Sequence, residues 1–287
     1  MNIIFFGNTK YSKVAAEIIN TEHKLSAIIT LPPRPLGRKK ILTPNPVNQF
    51  GIDHKILVIT VEHWTNEILK RIQNDMGDTD FFIVSDYGRI LPKELLSIPK
   101  YAPLNIHQSL LPKYRGTSPA PSAILNGDKV SGVTIIKMNE EVDTGLILAQ
   151  KEYKLKPDET TDSLLIELNK IGGKIIIPVI KDYVKGKVKL QKQDESKATL
   201  TKKIAKHDGY IDLDNPPSKE QLDRMIRAYY PWPGVWILLR LSASEGQAKI
   251  IKFLPEKKIQ MEGRKPMNYK DFFNGYPNLK EMFTFLL

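Results

Sequence analysis

Met1-Asn2-Ile3-Ile4-Phe5-Phe6-Gly7-Asn8 opens with a run of four apolar residues closed by a glycine. An amphipathic stretch from Val14 to Ile19 and a second apolar run from Ala27 to Ile29 follow it. A short β-branched and aromatic run, a stretch with helical spacing and another apolar run predict strand, helix, strand. The alternation continues with Ile56 to Ile59 and then Trp64 to Ile72, and with Phe81 to Val84 and then Leu91 to Leu96. Strands and helices taking turns predict an α/β fold, a mostly parallel sheet with helices on both faces. Ligands of such sheets sit beyond the carboxyl ends of the strands. The first turn holds Gly7 but no G-x-G-x-x-G, and no G-x-x-x-x-G-K-[ST] occurs, so dinucleotide and P-loop phosphate binding are rejected.

Further along, Val133 to Met138 and Ile147 to Leu155 read as strands, and Thr161 to Tyr183 as a long helix. Between Lys181 and Lys206 stand nine lysines against three acids with little apolar periodicity, the profile of a solvated basic linker. After it, Leu213 to Ala228 reads as a helix, and Trp236 to Leu241, Ala248 to Leu254 and Ile259 to Glu262 as short strands. The expected division is therefore a domain over 1–184, a linker over 185–205 and a second domain over 206–287. The chain of 287 residues is long enough for both to bury cores.

With 43 Lys and Arg against 32 Asp and Glu, the formal charge of +11 favours a polyanionic partner such as nucleic acid. The absence of cysteine excludes disulfides, thiolate nucleophiles and cysteine-ligated zinc. A strand that starts at Ile3 leaves no export leader, and charges interrupt every segment short of the ~20 apolar residues of a membrane span. A soluble cytoplasmic protein is expected.

The site is read from Leu104-Asn105-Ile106-His107-Gln108-Ser109-Leu110-Leu111-Pro112-Lys113-Tyr114-Arg115-Gly116 and from Glu141-Val142-Asp143-Thr144-Gly145. In the first segment apolar and polar residues alternate, so a strand puts Leu104 and Ile106 on one face and Asn105 and His107 on the other. Gly145 lets the loop that carries Asp143 turn back, so that an amide, an imidazole and a carboxylate converge. The other histidines, His23, His54, His63 and His207, sit in polar stretches and read as surface residues. Taken singly, Asp143 reads equally as a turn residue and Asn105 as a strand-end hydrogen bonder; the constellation is what makes a site.

N-x-H, the S-L-L-P-x-Y-R-G run and the D-T-G loop occur together and in order. With Pro33 to Lys40, Asp86 to Pro92 and Arg227 to Trp236 added, the chain resembles the folate-dependent formyltransferase family, in particular its methionyl-tRNA branch. The resemblance covers most of the chain. It implies a Rossmann-like catalytic domain and a small C-terminal β-rich domain of oligonucleotide-binding type. Only about fifty residues follow Trp236, so this barrel is expected to be abbreviated, short of one hairpin.

The resemblance further implies formyl transfer from 10-formyltetrahydrofolate to the α-amino group of initiator methionyl-tRNA, by a monomer without metal. Asn105 and His107 would donate to the oxyanion of a tetrahedral intermediate, and Asp143 would orient the imidazole and relay a proton. Ser109, Leu110, Leu111 and Pro112 would form the folate turn, offering apolar walls with backbone donors and acceptors. Tyr87, Gly88, Ile90 and Leu91 would form a facing wall, where Asp86 and Arg89 bring charges at positions more often apolar in the family. Arg38, Lys39 and Lys40, in a loop rich in proline from Pro32 to Pro46, would contact the tRNA acceptor stem. The loop lacks a glycine often found after that arginine. A formyl transfer to an amino-sugar nucleotide would use the same first domain, and a formyltetrahydrofolate deformylase would replace the amine with water.

Overall fold

The computed structural model describes every residue except 38, 77, 240–247 and 284–287. Chain contacts divide it into two compact units, one of Met1–Thr117, Val130–Lys154 and Leu165–Thr201, the other of Ser118–Lys129, Leu155–Leu164 and Lys202–Leu287. In chain order the elements begin β1 Ile3–Phe6, α1 Lys10–Glu22, β2 Leu25–Thr30, β3 Arg34–Leu36, β4 Ile41–Thr43, α2 Pro46–Asp53, β5 Leu57–Thr60 and α3 Asn66–Met76. They continue with β6 Phe81–Val84, α4 Lys93–Leu96, β7 Ala102–His107, α5 Pro119–Leu125, β8 Val130–Lys137, β9 Leu146–Lys154 and α6 Thr161–Val184.

All four residues of β1 and of β6 are buried, as strands covered on both faces require. Thr9 starts α1 by accepting from the backbone N–H groups of Tyr11 and Ser12, while the Ser12 hydroxyl accepts from Thr9 N at 2.9 Å. The seven strands of the first unit run β5-β2-β1-β6-β7-β8-β9. β5 to β7 pair in parallel, and β8 and β9 close the edge antiparallel. From β1 the chain moves outward through β2 to β5 and then returns to β6 on the other side of β1. This leaves a topological switch point at the carboxyl ends of β1 and β6, the crevice where open sheets bind ligands. β7 lies beside β6 with Asn105 opposite Val84.

Two stretches expected to lack regular structure have it. The proline-rich loop folds into the hairpin β3–β4, with Arg34 opposite Thr43, and its last proline is the first residue of α2, where a missing N–H costs nothing. The basic stretch 185–205 is tied by backbone hydrogen bonds over 191–201. Gln191 and Ile147 exchange bonds at 3.0 and 2.8 Å, Arg115 N donates to Thr199 O at 2.8 Å, and Thr201 N donates to Arg115 O at 2.8 Å. Backbone pairing of this kind needs no apolar period, which is why a lysine-rich composition reads as solvated linker.

The second unit holds α5, then α7 Lys219–Ala228, β10 Val235–Leu239, β11 Lys249–Leu254, β12 Lys258–Met261, β13 Met267–Asn268 and α8 Tyr269–Gly275. The helix expected from Leu213 begins six residues later. Pro216 and Pro217 restrict the chain ahead of it, and Ser218 caps it in a reciprocal pair with Gln221. β10 to β13 form an antiparallel sheet in that order, four strands among the described residues. Val235, Ile237, Ile251 and Phe253 of the sheet share a buried core with Ile226 of α7 and Phe272 of α8. Leu241, expected at the end of the first of these strands, lies outside the described residues.

Candidate functional site

β7 ends at the site. Leu104 and Ile106 are buried in the sheet's packing, and on the alternate positions Asn105 is half-buried and His107 is buried. Asp143 comes from the connection between β8 and β9. Its Oδ1 accepts from Asn105 Nδ2 at 3.3 Å and lies 3.5 Å from His107 Nδ1, and its Oδ2 accepts from the backbone N–H of Gly116 at 2.8 Å. His107 Nε2 lies 2.9 Å from the carbonyl oxygen of Tyr114, so that nitrogen carries a proton and donates it there. The imidazole is thereby held at both nitrogens, with Nδ1 toward the carboxylate.

The loop geometry around this trio is strained. Asp86, Tyr114 and Asp143 have φ of 45°, 62° and 56°, a left-handed conformation that costs a residue with a side chain roughly 1 kcal/mol or more. Two of the three supply partners to His107. Gly145 closes the Asp143 loop so tightly that a Cβ there would meet the carbonyl oxygen of Lys137 at 1.9 Å. Glycine is the only residue that fits.

A second polar network lies under the trio, where the chain leaves β1, β6 and β7. Gln108 Nε2 donates to Ser85 Oγ at 3.1 Å, Ser85 Oγ donates to Asn169 Oδ1 at 2.7 Å, and Asn169 Nδ2 donates to Asp86 Oδ2 at 3.3 Å. Thr9 Oγ1 donates to the same carboxylate oxygen at 3.3 Å. Burial pushes the Asp86 carboxyl up to about 6, against the opposing hydrogen bonds from Asn169 and Thr9 and the charge of His107. Sequence reading noticed Asp86 as a departure but missed Thr9, Ser85 and Asn169. A signal existed for Asn169, which falls at helical spacing with Leu165, Gly172 and Ile176 and so puts an amide on the apolar side of α6, where it is fully buried.

The turn after β7 corrects part of the expectation. Ser109 Oγ donates to Lys113 O at 2.6 Å, Thr134 Oγ1 donates to Ser109 O at 2.6 Å, Leu111 N donates to Thr134 Oγ1 at 3.0 Å, and Gln150 Nε2 donates to Leu111 O at 2.8 Å. These backbone groups of Ser109 and Leu111, expected to face a ligand, are bonded instead to the side chains of Thr134 on β8 and Gln150 on β9. What Leu110 and Pro112, both half-buried, present is apolar wall. In the segment after β6, Gly88 and Ile90 are exposed, Ile90 by 73%, whereas Tyr87 and Leu91 belong to the buried core. The Tyr87 ring packs edge-on against Phe6 at 5.6 Å, its buried hydroxyl has no hydrogen-bond partner among the described residues, and burial pushes that hydroxyl's titration upward. Arg89 Nη2 pairs with Glu62 Oε1 at 2.7 Å and Arg34 Nη2 reaches the same oxygen at 3.2 Å, so the charge at position 89 is balanced within the protein.

In the hairpin β3–β4, Lys39 and Lys40 are exposed on the connecting turn, flanked by exposed Leu36, Ile41 and Leu42. Arg38 lies outside the described residues. Among the described residues no group of three His, Cys, Asp or Glu side chains is placed to hold a metal ion, and no helix is long and apolar enough to cross a membrane.

Comparison with known proteins meets this geometry. The formyl transferase family pattern matches residues 1–180, and the pattern of the formyl transferase C-terminal domain matches residues 203–258. A methionyl-tRNA formyltransferase of Chloroflexus aggregans is 38% identical over 245 residues, 84% of this chain and 77% of that protein. Among solved structures, the methionyl-tRNA formyltransferase of Clostridium thermocellum shares the fold at a TM-score of 0.61, with 20% identity over 93% of this chain and 96% of that one. The N-formyltransferase of Helicobacter canadensis, in complex with folinic acid and dTDP-3-aminofucose, does so at 0.62 with 18% identity over 90% and 94%. The chain belongs to the formyl transferase family, and it is a formyl-transferring enzyme.

Proposed function

We propose that the protein moves the formyl group of 10-formyltetrahydrofolate onto the α-amino group of initiator methionyl-tRNA, giving N-formylmethionyl-tRNA for translation initiation in the cytoplasm. The observation that carries the chemistry is the convergence of Asn105, His107 and Asp143 within hydrogen-bonding or ion-pair reach of one another. The choice of acceptor is supported by the 38% identical relative, named for methionyl-tRNA, and by the net charge of +11.

The donor binds as co-substrate, with Gly88, Ile90, Leu110 and Pro112 as accessible apolar or side-chain-free surface at the ends of β6 and β7 and with Ser109, Leu111, Tyr87 and Leu91 shaping that surface from beneath. The amine lone pair attacks the formyl carbon, a C–N bond forms, and the carbonyl electron pair moves to oxygen. An amine of this type has a pKa near ~7.7 to 8.0, so enough of it is neutral to attack without a covalent enzyme intermediate. Asn105 has a second amide N–H beyond the one given to Asp143, and that N–H steadies the oxyanion. His107, its Nε2 given to Tyr114 O and its Nδ1 turned to Asp143, holds the carboxylate in place and has no N–H left for the oxyanion expected of it. On collapse the bond to folate N10 breaks. The proton lost by the amine travels by way of Asp143 and water to that nitrogen.

In this reading the unit that carries the seven-stranded sheet, which also takes in the basic stretch up to Thr201, is catalytic, and the unit that carries β10 to β13 binds the tRNA. Arg38, Lys39 and Lys40 meet the acceptor stem, and the enzyme acts as a monomer. The test incubates purified protein with 10-formyltetrahydrofolate and either methionyl-tRNA or a 4-amino-sugar nucleotide and follows the formylated product. Formylmethionyl-tRNA is expected; formylation of the sugar nucleotide alone would overturn the acceptor assignment.

A further inference from the structure

Asp143 is held by more than its carboxylate contacts. Gln193, in the tied stretch that follows the seven-stranded sheet, donates its two amide N–H groups to the backbone carbonyls of Asp143 at 2.7 Å and Gly145 at 2.9 Å. Its oxygen accepts from Arg115 Nε at 3.0 Å and Nη2 at 2.8 Å. The rest of that guanidinium meets Glu195 in a two-pronged pair, Nη1 to Oε2 at 2.8 Å and Nη2 to Oε1 at 2.7 Å. Arg115 is buried, and it directly precedes Gly116, whose N–H binds the Asp143 carboxylate. The amide cannot turn over, because carbonyls only accept and a guanidinium only donates.

We infer that Gln193 is a positioning residue of the formyl-transfer site, clamping the strained Asp143 loop so that its carboxylate stays on His107 and Asn105. The inference rests on the reading of Asp143 as part of that site. A left-handed residue persists only when its surroundings over-determine it. Here the surroundings are Gly116 N–H on the carboxylate and Gln193 on the backbone. The clamp also explains why a basic connecting stretch runs against the first unit: it delivers one amide to the two carbonyls that bracket the turn. Arg115 and Glu195 keep that amide facing them.

Gln193→Met removes the donors at nearly constant volume. Gln193→Glu keeps the acceptor for Arg115 but sets a carboxylate against two carbonyl oxygens, and serves if the first variant folds poorly. Both are expected to lower kcat by about 10- to 50-fold with KM for methionyl-tRNA and folate within about threefold, since misplacement of a reacting group costs rate more than binding. The decisive measurement is the double variant. If Gln193 acts through Asp143, Gln193→Met added to Asp143→Asn costs less than threefold further, because the residue it positions is already disabled. A multiplicative loss in the double variant, or a loss confined to KM or to thermal stability, overturns the assignment. If Asp143→Asn itself retains full kcat, it is the reading of Asp143 that falls; if Asp143→Asn is crippled while both Gln193 variants keep parental kcat, the clamp alone falls.

Discussion

Asp143→Asn isolates the charge of the carboxylate from everything else the residue does. Asparagine tolerates a left-handed backbone nearly as well as aspartate, so the φ of 56° is no obstacle. The amide cannot serve both donors that the carboxylate serves, since Gly116 N–H and Asn105 Nδ2 bind different oxygens at 2.8 and 3.3 Å. One of them must face an NH2 group. A hydrogen bond to a charged acceptor contributes about 1.5–3 kcal/mol, and the charge opposite His107 Nδ1 at 3.5 Å is lost as well. Taken together, and less than additively, these amount to about 3–4 kcal/mol, or roughly 10²–10³ in kcat at 1.36 kcal/mol per decade. The assay is single-turnover formylation of methionyl-tRNA, with far-UV circular dichroism to confirm folding and folate binding titrated separately. The reasoning is refuted if kcat stays within threefold of the parent, or if the whole effect lies in folate affinity.

Asn105→Ala should lower kcat by ~10²–10³ while methionyl-tRNA affinity measured by filter binding stays within threefold, because the oxyanion exists only in the transition state; normal turnover would remove Asn105 from the mechanism. The Asp86 carboxyl, raised from 3.8 to about 6, binds its proton more tightly in the folded state, so its contribution to stability is greatest below pH ~4, declines as pH rises toward 6 and is flat above, by up to about 3 kcal/mol. Asp86→Asn keeps an acceptor for Thr9 and Asn169, and in urea melts it should be more stable than the parent at pH 8 and no more stable at pH 4; equal differences at both would contradict the buried charge. Replacing Lys39 and Lys40 by alanine should weaken methionyl-tRNA binding and lower the log–log salt slope by ~0.7–0.9 per lost phosphate contact, with folate KM unchanged; an unaltered slope would place the acceptor stem elsewhere.

Local pattern determined much of this protein. The apolar runs at Ile3–Phe6 and Phe81–Val84 coincide with β1 and β6 because a strand buried on both faces writes itself as consecutive apolar residues. The alternation through Leu104–His107 likewise names the strand and the face that carries Asn105 and His107. The approach of Asp143 follows from the D-T-G turn, but its partners do not. That the imidazole's Nε2 is taken by Tyr114 O, that Gly116 N–H holds the carboxylate, and that Gln193 clamps the loop were decided by the tertiary structure, because each is a bond to a backbone group, which every residue has and no side-chain pattern announces. The same reason hides the bonds of the turn's carbonyls at Ser109 and Leu111 to Thr134 and Gln150 and the tie of Arg115 to Thr199 and Thr201. Asp86 and Asn169 stand 83 residues apart, and only the packing of α6 against the sheet end brings the amide to the half-buried carboxylate.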